Sequence, residues 1–170
     1  MFARTPRLTL RPGWPEDAPA LARAIAHESV AFKLARLPWP YTEAHARHWL
    51  AMEHGEADVP LLIFAHDRGR APELIGGVGL HPDDRGELEI GYWLTPSAWG
   101  RGYATEAGRA VVDMARHALG RRRLVSGHFV DNPASGRVLR KLGFAPTGME
   151  KRQCLARGEA VDCATFELVM

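Results

Sequence analysis

The sequence predicts an α+β fold: a mixed, mostly antiparallel seven-stranded sheet with flanking helices and one parallel β-α-β crossover. Three observations predict it. Apolar residues recur at helical spacing through the first third of the chain, then switch to alternating or continuous runs from Pro60 onward. Short strand-like segments joined by charged turns follow one another directly, as in an antiparallel meander. A single strong amphipathic helix then stands between two strands, which requires a parallel, right-handed crossover.

Taken in order, residues 7–11 (RLTLR) alternate apolar and basic side chains as a half-buried strand does, and Pro12-Gly13 stops it. Pro15-Glu16-Asp17 opens a helix of about three turns with Ala18, Leu21, Ala22 and Ile25 on one face. Residues 30–41 read as a weaker helix ending in Pro38-Trp39-Pro40-Tyr41, and Thr42 caps a further helix whose apolar face is Ala46, Trp49 and Leu50. The runs 61–65, 74–80 (LIGGVGL) and 87–94 (ELEIGYWL) are three strands. Residues 102–119 make the strongest helix, because Tyr103, Ala107, Ala110, Val111, Met114 and Ala118 form one stripe and Gly120 supplies a C-terminal stop. After a strand at 124–130, Asn132 and Pro133 open the last helix in the order N-cap then first helical position, and Gly143 closes it. Strands at 149–155 and 161–169 flank Arg157-Gly158-Glu159-Ala160. A two-residue turn at Gly158-Glu159 would set Cys154 directly opposite Cys163.

Composition bounds what the chain does. At 170 residues, with 46% hydrophobic and 25% charged side chains, residues 1–170 read as one domain with a core large enough to need neither metal nor disulfide. The longest stretch without a charged side chain, Ile90 to Gly100, is far short of the ~20 apolar residues of a membrane span. The arginine-bearing start MFARTPRLTLRP is not a secretory signal, so a cytoplasmic location is expected. A net charge of +2 argues against nucleic acid as a partner. The basic residues are arginine with only three lysines (Lys33, Lys141, Lys151), and arginine is the side chain that grips phosphate bidentately. Arg121-Arg122-Arg123 reads as a solvated turn. The eight histidines show no metal spacing, and no metal site is expected.

Chemistry concentrates between residues 94 and 106, where a strand runs into the strongest helix. Gly100 and Gly102 let backbone approach a ligand closely, the first-turn N–H groups are unpaired at the positive end of the helix dipole, and Arg101 adds a charge. This is an anion site in outline. It is neither a P-loop nor a dinucleotide fingerprint, since Thr105 stands where the latter needs glycine or alanine.

Trp99-Gly100-Arg101-Gly102-Tyr103-Ala104, after a strand ending Tyr92-Trp93-Leu94-Thr95-Pro96, resembles the acyl-CoA pyrophosphate loop of the general N-acetyltransferase (GNAT) superfamily. Asn132-Pro133-Ala134-Ser135 with Lys141-Leu142-Gly143-Phe144 resembles that superfamily's second motif. Thr5-Pro6-Arg7-Leu8, Leu37-Pro38-Trp39-Pro40-Tyr41-Thr42 and Glu89-Ile90-Gly91-Tyr92-Trp93-Leu94 are similar to the ribosomal-protein N-terminal acetyltransferase-like group within it. The chain departs from the general pattern at Trp99, where glutamine or arginine is usual, and at Leu139, where many members carry a tyrosine acid.

The resemblance implies a GNAT fold, acetyl-CoA as cosubstrate, and direct attack of a primary amine on the thioester. The acceptor is a protein N-terminus or a small-molecule amine, and a homodimer is permitted. A base must take the amine proton. Glu89 is the first candidate and His81 the second, with a water relay as the remaining route. The resemblance further assigns the Tyr92 backbone N–H to the oxyanion, Leu94 and Thr95 to the pantetheine arm, and Ser135 to the leaving thiolate. Gly100, Arg101, Gly102, Tyr103, Ala104 and Thr105 would hold the pyrophosphate, with Asn132, Ser135, Arg137 and Arg140 completing the cofactor side. Asn132 also suits a helix cap and Ser135 a first helical turn. The competing reading is a non-catalytic acyl-CoA-binding module, kept open by Leu139.

Overall fold

A computed structural model describes all 170 residues. Strand β1 (Ala3–Arg4) and β2 (Leu8–Arg11) precede a short 3-10 turn (Pro15–Asp17) and helices α1 (Ala18–Ile25), α2 (Glu28–Ala31) and α3 (Glu43–Leu50). A meander follows, β3 (Val59–Ala65), β4 (Glu73–Pro82) and β5 (Leu88–Leu94), then a 3-10 turn (Pro96–Ala98) and α4 (Tyr103–His117). The chain ends with β6 (Arg123–Phe129), α5 (Pro133–Lys141), β7 (Ala145–Cys154) and β8 (Glu159–Val169). The strands form one eight-stranded sheet in the order β1-β2-β3-β4-β5-β6-β8-β7, with every pair antiparallel except β5–β6. The seven strands expected from the sequence are present, and the two-residue β1 is added at the edge.

Strand alternation divides the core into two layers. Leu61, Ile63, Leu80, Leu88 and Ile90 face α4 and α5, where they pack with Tyr103, Ala107, Val111 and Leu139. Leu62 and Leu74 face the other way, onto Leu21, Ile25, Val30 and Ala46 of the N-terminal helices.

Two stretches differ from the sequence reading. Residues 30–41 are not a helix beyond the single turn of α2. Pro38 and Pro40 lack N–H donors, and the carbonyls of the segment are bonded across the molecule instead. The Leu155 N–H donates to Ala35 O at 2.9 Å, and Arg157 Nε donates to Phe32 O at 2.8 Å. The final hairpin turns through residues 155–158, closed by the Gly158 N–H on Cys154 O (2.9 Å) with Gly158 at φ +67°. That longer turn slides the register, so Cys154 opposes Glu159 and Cys163 opposes Glu150. The two thiols are therefore not partners across the hairpin. Both are free and buried around Phe129. Arg123 also departs from a solvated turn, because it begins β6 and pairs with Glu87 and Glu167.

No helix is long and apolar enough to cross a membrane.

Candidate active site

The site is built where the sheet fails to close. β5 and β6 are register partners only at Glu89 and Val125, although both strands continue beyond that point. The Ser126 hydroxyl donates to Ile90 O (2.9 Å) at the last point of contact. Beyond it the strands diverge, leaving a cleft at the carboxyl ends of two parallel strands, the position where α/β sheets admit ligands.

Ladder parity decides which backbone groups line that cleft. Hydrogen-bonded and non-bonded pairs alternate along an antiparallel pair. Thr95 N–H bonds Ile75 O at 2.8 Å, and the unbroken register Gly77↔Trp93, Gly79↔Gly91 and His81↔Glu89 therefore faces β4. The backbone groups of Ile90, Tyr92 and Leu94 are turned toward β6. Leu94 O is taken by Trp99 Nε1 (2.9 Å), which leaves the N–H groups of Tyr92 and Leu94 directed into the gap. Thr95 contributes less backbone than the resemblance implies, since its N–H is bonded to Ile75 O and its C=O to Ala98 N–H.

At the mouth of the cleft the chain turns into α4 with Gly100 at φ +73° and Gly102, the N-cap, at φ +80°. Side chains rarely adopt that left-handed region, which explains glycine at both positions. The first bond of α4 runs from Glu106 N–H to Gly102 O (3.0 Å), so the N–H groups of Gly100, Arg101, Gly102, Tyr103, Ala104 and Thr105 have no acceptor within the chain. Six successive donors at the positive end of a 15-residue helix form a cradle for an anion. The cradle is braced from the N-terminal segment. Arg7 Nε donates to Glu106 Oε2 (2.7 Å), Arg7 Nη1 donates to Arg101 O (2.9 Å), and Thr5 Oγ1 donates to Glu106 Oε1. Although burial pulls the other way, the bonds from Thr5 and Arg7 hold the Glu106 carboxyl below its ordinary range. The Tyr103 phenol points inward onto Asp67 Oδ1 (2.7 Å), so only its backbone belongs to the loop. Arg101 carries no ion pair, and Lys33 stacks over the Trp99 ring at 4.4 Å.

Across the gap, α5 starts at Pro133 with Asn132 as N-cap, yet the Asn132 amide makes no capping bond and is left over for another partner. Arg137 and Arg140 are exposed on α5, Arg140 lying 5.3 Å over the Phe166 ring. Leu139 is fully buried in the main core, where it offers no proton. A different hydroxyl is brought in. Tyr92 Oη reaches from β5 to Ser135, donating to its carbonyl (2.9 Å) and lying 2.9 Å from its Oγ. Burial pushes the Tyr92 phenol up to about 12, so it stays protonated at neutral pH. Sequence reading named Tyr92 for its backbone alone. The period-two alternation that puts Tyr92 on the helix side of β5 was the available signal for its side chain.

Glu89 lies on the other face of β5, buried, with Arg152 Nη1 of β7 donating to its Oε1 at 2.8 Å. Arg152 was not identified from sequence, because it comes from a strand 63 positions away. Glu89 and Ser135 thus lie on opposite faces of the sheet.

The fold agrees with the comparisons. Residues 7–145 match the family model described as an acetyltransferase (GNAT) domain. The uncharacterized N-acetyltransferase p20 of Bacillus licheniformis is 30% identical across 97% of this chain and 94% of its own length. The uncharacterized N-acetyltransferase YoaA of Bacillus subtilis is 34% identical over 61% of this chain, a match spanning 59% of that protein. Among solved structures, the ribosomal L7/L12 α-N-protein acetyltransferase RimL, in complex with coenzyme A, superposes with a TM-score of 0.80 at 22% identity, covering 100% of this chain and 98% of that one. Carrying the GNAT domain over most of its length and a full-length relative at this identity, the chain belongs to the GNAT acetyltransferase family.

Proposed function

We propose that this protein transfers an acetyl group from acetyl-CoA to a primary amine by direct attack, and that the β5–β6 cleft is where the thioester lies. One observation carries the reading: six unpaired N–H groups from Gly100 to Thr105 stand at the mouth of a cleft into which the Tyr92 and Leu94 N–H groups also point. A linear cosubstrate with a pyrophosphate at mid-length and a carbonyl at its end needs that spacing of donors.

In this reading the pyrophosphate rests on residues 100–105 with Arg101 beside it. The pantetheine arm pairs along Leu94, with the Thr95 hydroxyl as its further neighbour. Asn132, Arg137 and Arg140 serve the cofactor's remaining polar groups, consistent with the uncapped Asn132 amide. The Tyr92 N–H donates to the carbonyl oxygen as the carbon becomes tetrahedral and the oxygen gains negative charge. Ser135 hands a proton to the departing thiolate, supported by the Tyr92 phenol that holds it. A buried pair of cysteines outside the cleft argues against an acyl-enzyme. The acceptor is a protein N-terminal α-amine or a small-molecule amine, the former supported by the likeness to a ribosomal-protein acetyltransferase, and the setting is cytoplasmic.

The test is a screen of serine- and alanine-initiated peptides, polyamines and amino acids with acetyl-CoA, following release of the CoA thiol. Turnover with at least one amine is expected. Tight acetyl-CoA binding with no turnover across the panel would favour a non-catalytic module.

A further inference from the structure

On the face of the sheet opposite Ser135, β4 and β5 hold a second group of titratable side chains. His81 and Glu89 are register partners, and both side chains stand on the face that Gly91 leaves bare. A Cβ at Gly91 would touch only the His81 ring, at 3.6 Å from its Cε1, so the imidazole leans over the residue preceding Tyr92. The His81 ring is only partly buried, and neither of its nitrogens is a sealed, unsatisfied group. Glu89, by contrast, has Oε1 engaged by Arg152, and Arg152 Nε donates in turn to Glu150 Oε1 (2.7 Å) while Arg85 Nη2 donates to Glu150 Oε2 (2.8 Å). A chain of alternating charges therefore runs from the exposed Arg85 to the buried Glu89 and fixes that carboxylate.

Resting on the acetyltransferase reading, we propose that His81 takes the proton of the attacking amine, and that Glu89, fixed by Arg152, is the positioning residue that balances the imidazolium so formed. The charged groups that act on His81 are Glu89 from β5, Arg152 from β7, Arg36 from the segment after α2 and Asp58 from the approach to β3. Burial is the largest influence and pushes the imidazole below its ordinary value, with Arg36 and Arg152 acting the same way and Glu89 and Asp58 opposing. At neutral pH the ring is uncharged and has a lone pair to offer.

The step balances. The amine lone pair forms the C–N bond, and the C–S bond breaks with its electron pair on sulfur. The nitrogen's proton passes to His81, and the thiolate takes one from the Ser135 side. His81 later returns its proton to solvent as Ser135 is replenished, so amine and acetyl-CoA give amide and CoA thiol. The geometry suits this division, since Glu89 sits across the ladder from His81 where a carboxylate steadies an imidazolium without itself accepting the proton.

Two measurements test it. In the free protein, the His81 ring is followed by NMR against pH. Its midpoint is expected below the ordinary histidine value and lower still in Glu89→Gln, where the opposing carboxylate is gone. A midpoint above the ordinary value, or one that Glu89→Gln leaves unmoved, overturns the proposal. With an alanine-initiated tripeptide and spermidine as probe amines, His81→Gln is expected to lower kcat by about 10²-fold and to erase the acidic limb of the pH–rate profile. Glu89→Gln is expected to keep that limb, displaced to lower pH, with a smaller loss. The proposal is overturned if Glu89→Gln erases the limb and His81→Gln retains it. Absence of turnover by the wild type with every amine would sink the acetyltransferase reading instead, and the NMR titration would still judge His81.

Discussion

Tyr92 Oη lies 2.9 Å from Ser135 Oγ, a bond that spans the cleft from β5 to the first turn of α5. It places a protonated phenol behind a serine at the point where the sheet has parted. Leu139, the position at which many relatives of this kind are expected to carry a tyrosine, is sealed in the core. The hydroxyls near this point of the cleft are therefore those of Ser135, on α5, and Tyr92, on β5. Ser135→Ala is expected to lower kcat by about 10²-fold with little change in acetyl-CoA affinity. Tyr92→Phe should cost less activity and about 1 kcal/mol of stability, because Ser135 then keeps only part of its bonding. Steady-state kinetics together with denaturant unfolding separate the two effects.

The cradle at residues 100–105 depends on backbone donors and on left-handed glycine. Gly102→Glu forces a side chain onto φ +80° and sets a carboxylate among the unpaired N–H donors of the loop. Acetyl-CoA affinity measured by calorimetry is expected to fall by about 10²-fold or more, roughly 2.7 kcal/mol. Unchanged affinity would remove the pyrophosphate assignment.

Glu106 ties Thr5 and Arg7 to the start of α4, and its pKa is lowered in the folded protein. A depressed carboxylate contributes stability that is present above the unfolded value, at about pH 4.3, and lost as pH falls through the lower folded value. Glu106→Gln should therefore be less stable than wild type at pH 7, and the difference should shrink on acidification below about pH 4. Chemical unfolding at pH 7, 5 and 3 reads this directly. A gap that widens toward low pH would contradict the linkage.

Arg157 holds the irregular segment after α2 in place through Phe32 O and pairs with Asp131 at the start of the α5 turn. That segment lies on the Glu89 side of the sheet, where Leu34 and Leu37 join the cluster that includes Trp93, and the Arg36 charge acts on His81. Arg157→Ala is expected to raise the acceptor KM by about tenfold through disorder in this segment, while acetyl-CoA affinity stays within about twofold. Equal losses for both substrates would show that Arg157 serves the whole fold instead.

Much of this was legible in the sequence, and the particular residues show why. The α4 stripe, the Gly100/Gly102 turn before it and the Asn132-Pro133 start are local signals, each set by spacing or by backbone conformation within a few residues. The face assignment of Glu89, Gly91 and Trp93 against Leu88, Ile90, Tyr92 and Leu94 also follows from strand period alone. What the sequence concealed is long-range. Residues 32–41 lose their helix because Arg157 and Leu155, more than 100 positions later, take their carbonyls. The Cys154–Cys163 register moved because turn length, not strand pattern, sets pairing. The Arg152 grip on Glu89 joins strands that only the finished sheet brings together.

The central claim is that acetyl-CoA lies along the β5–β6 gap with its pyrophosphate at the start of α4. An amide-resolved NMR titration of the protein with acetyl-CoA tests it most directly. The N–H signals of Gly100 through Thr105, together with those of Tyr92 and Leu94, are predicted to shift together and saturate at one stoichiometric equivalent. Saturable shifts that fall elsewhere on the molecule, with those eight amides unmoved, would contradict it.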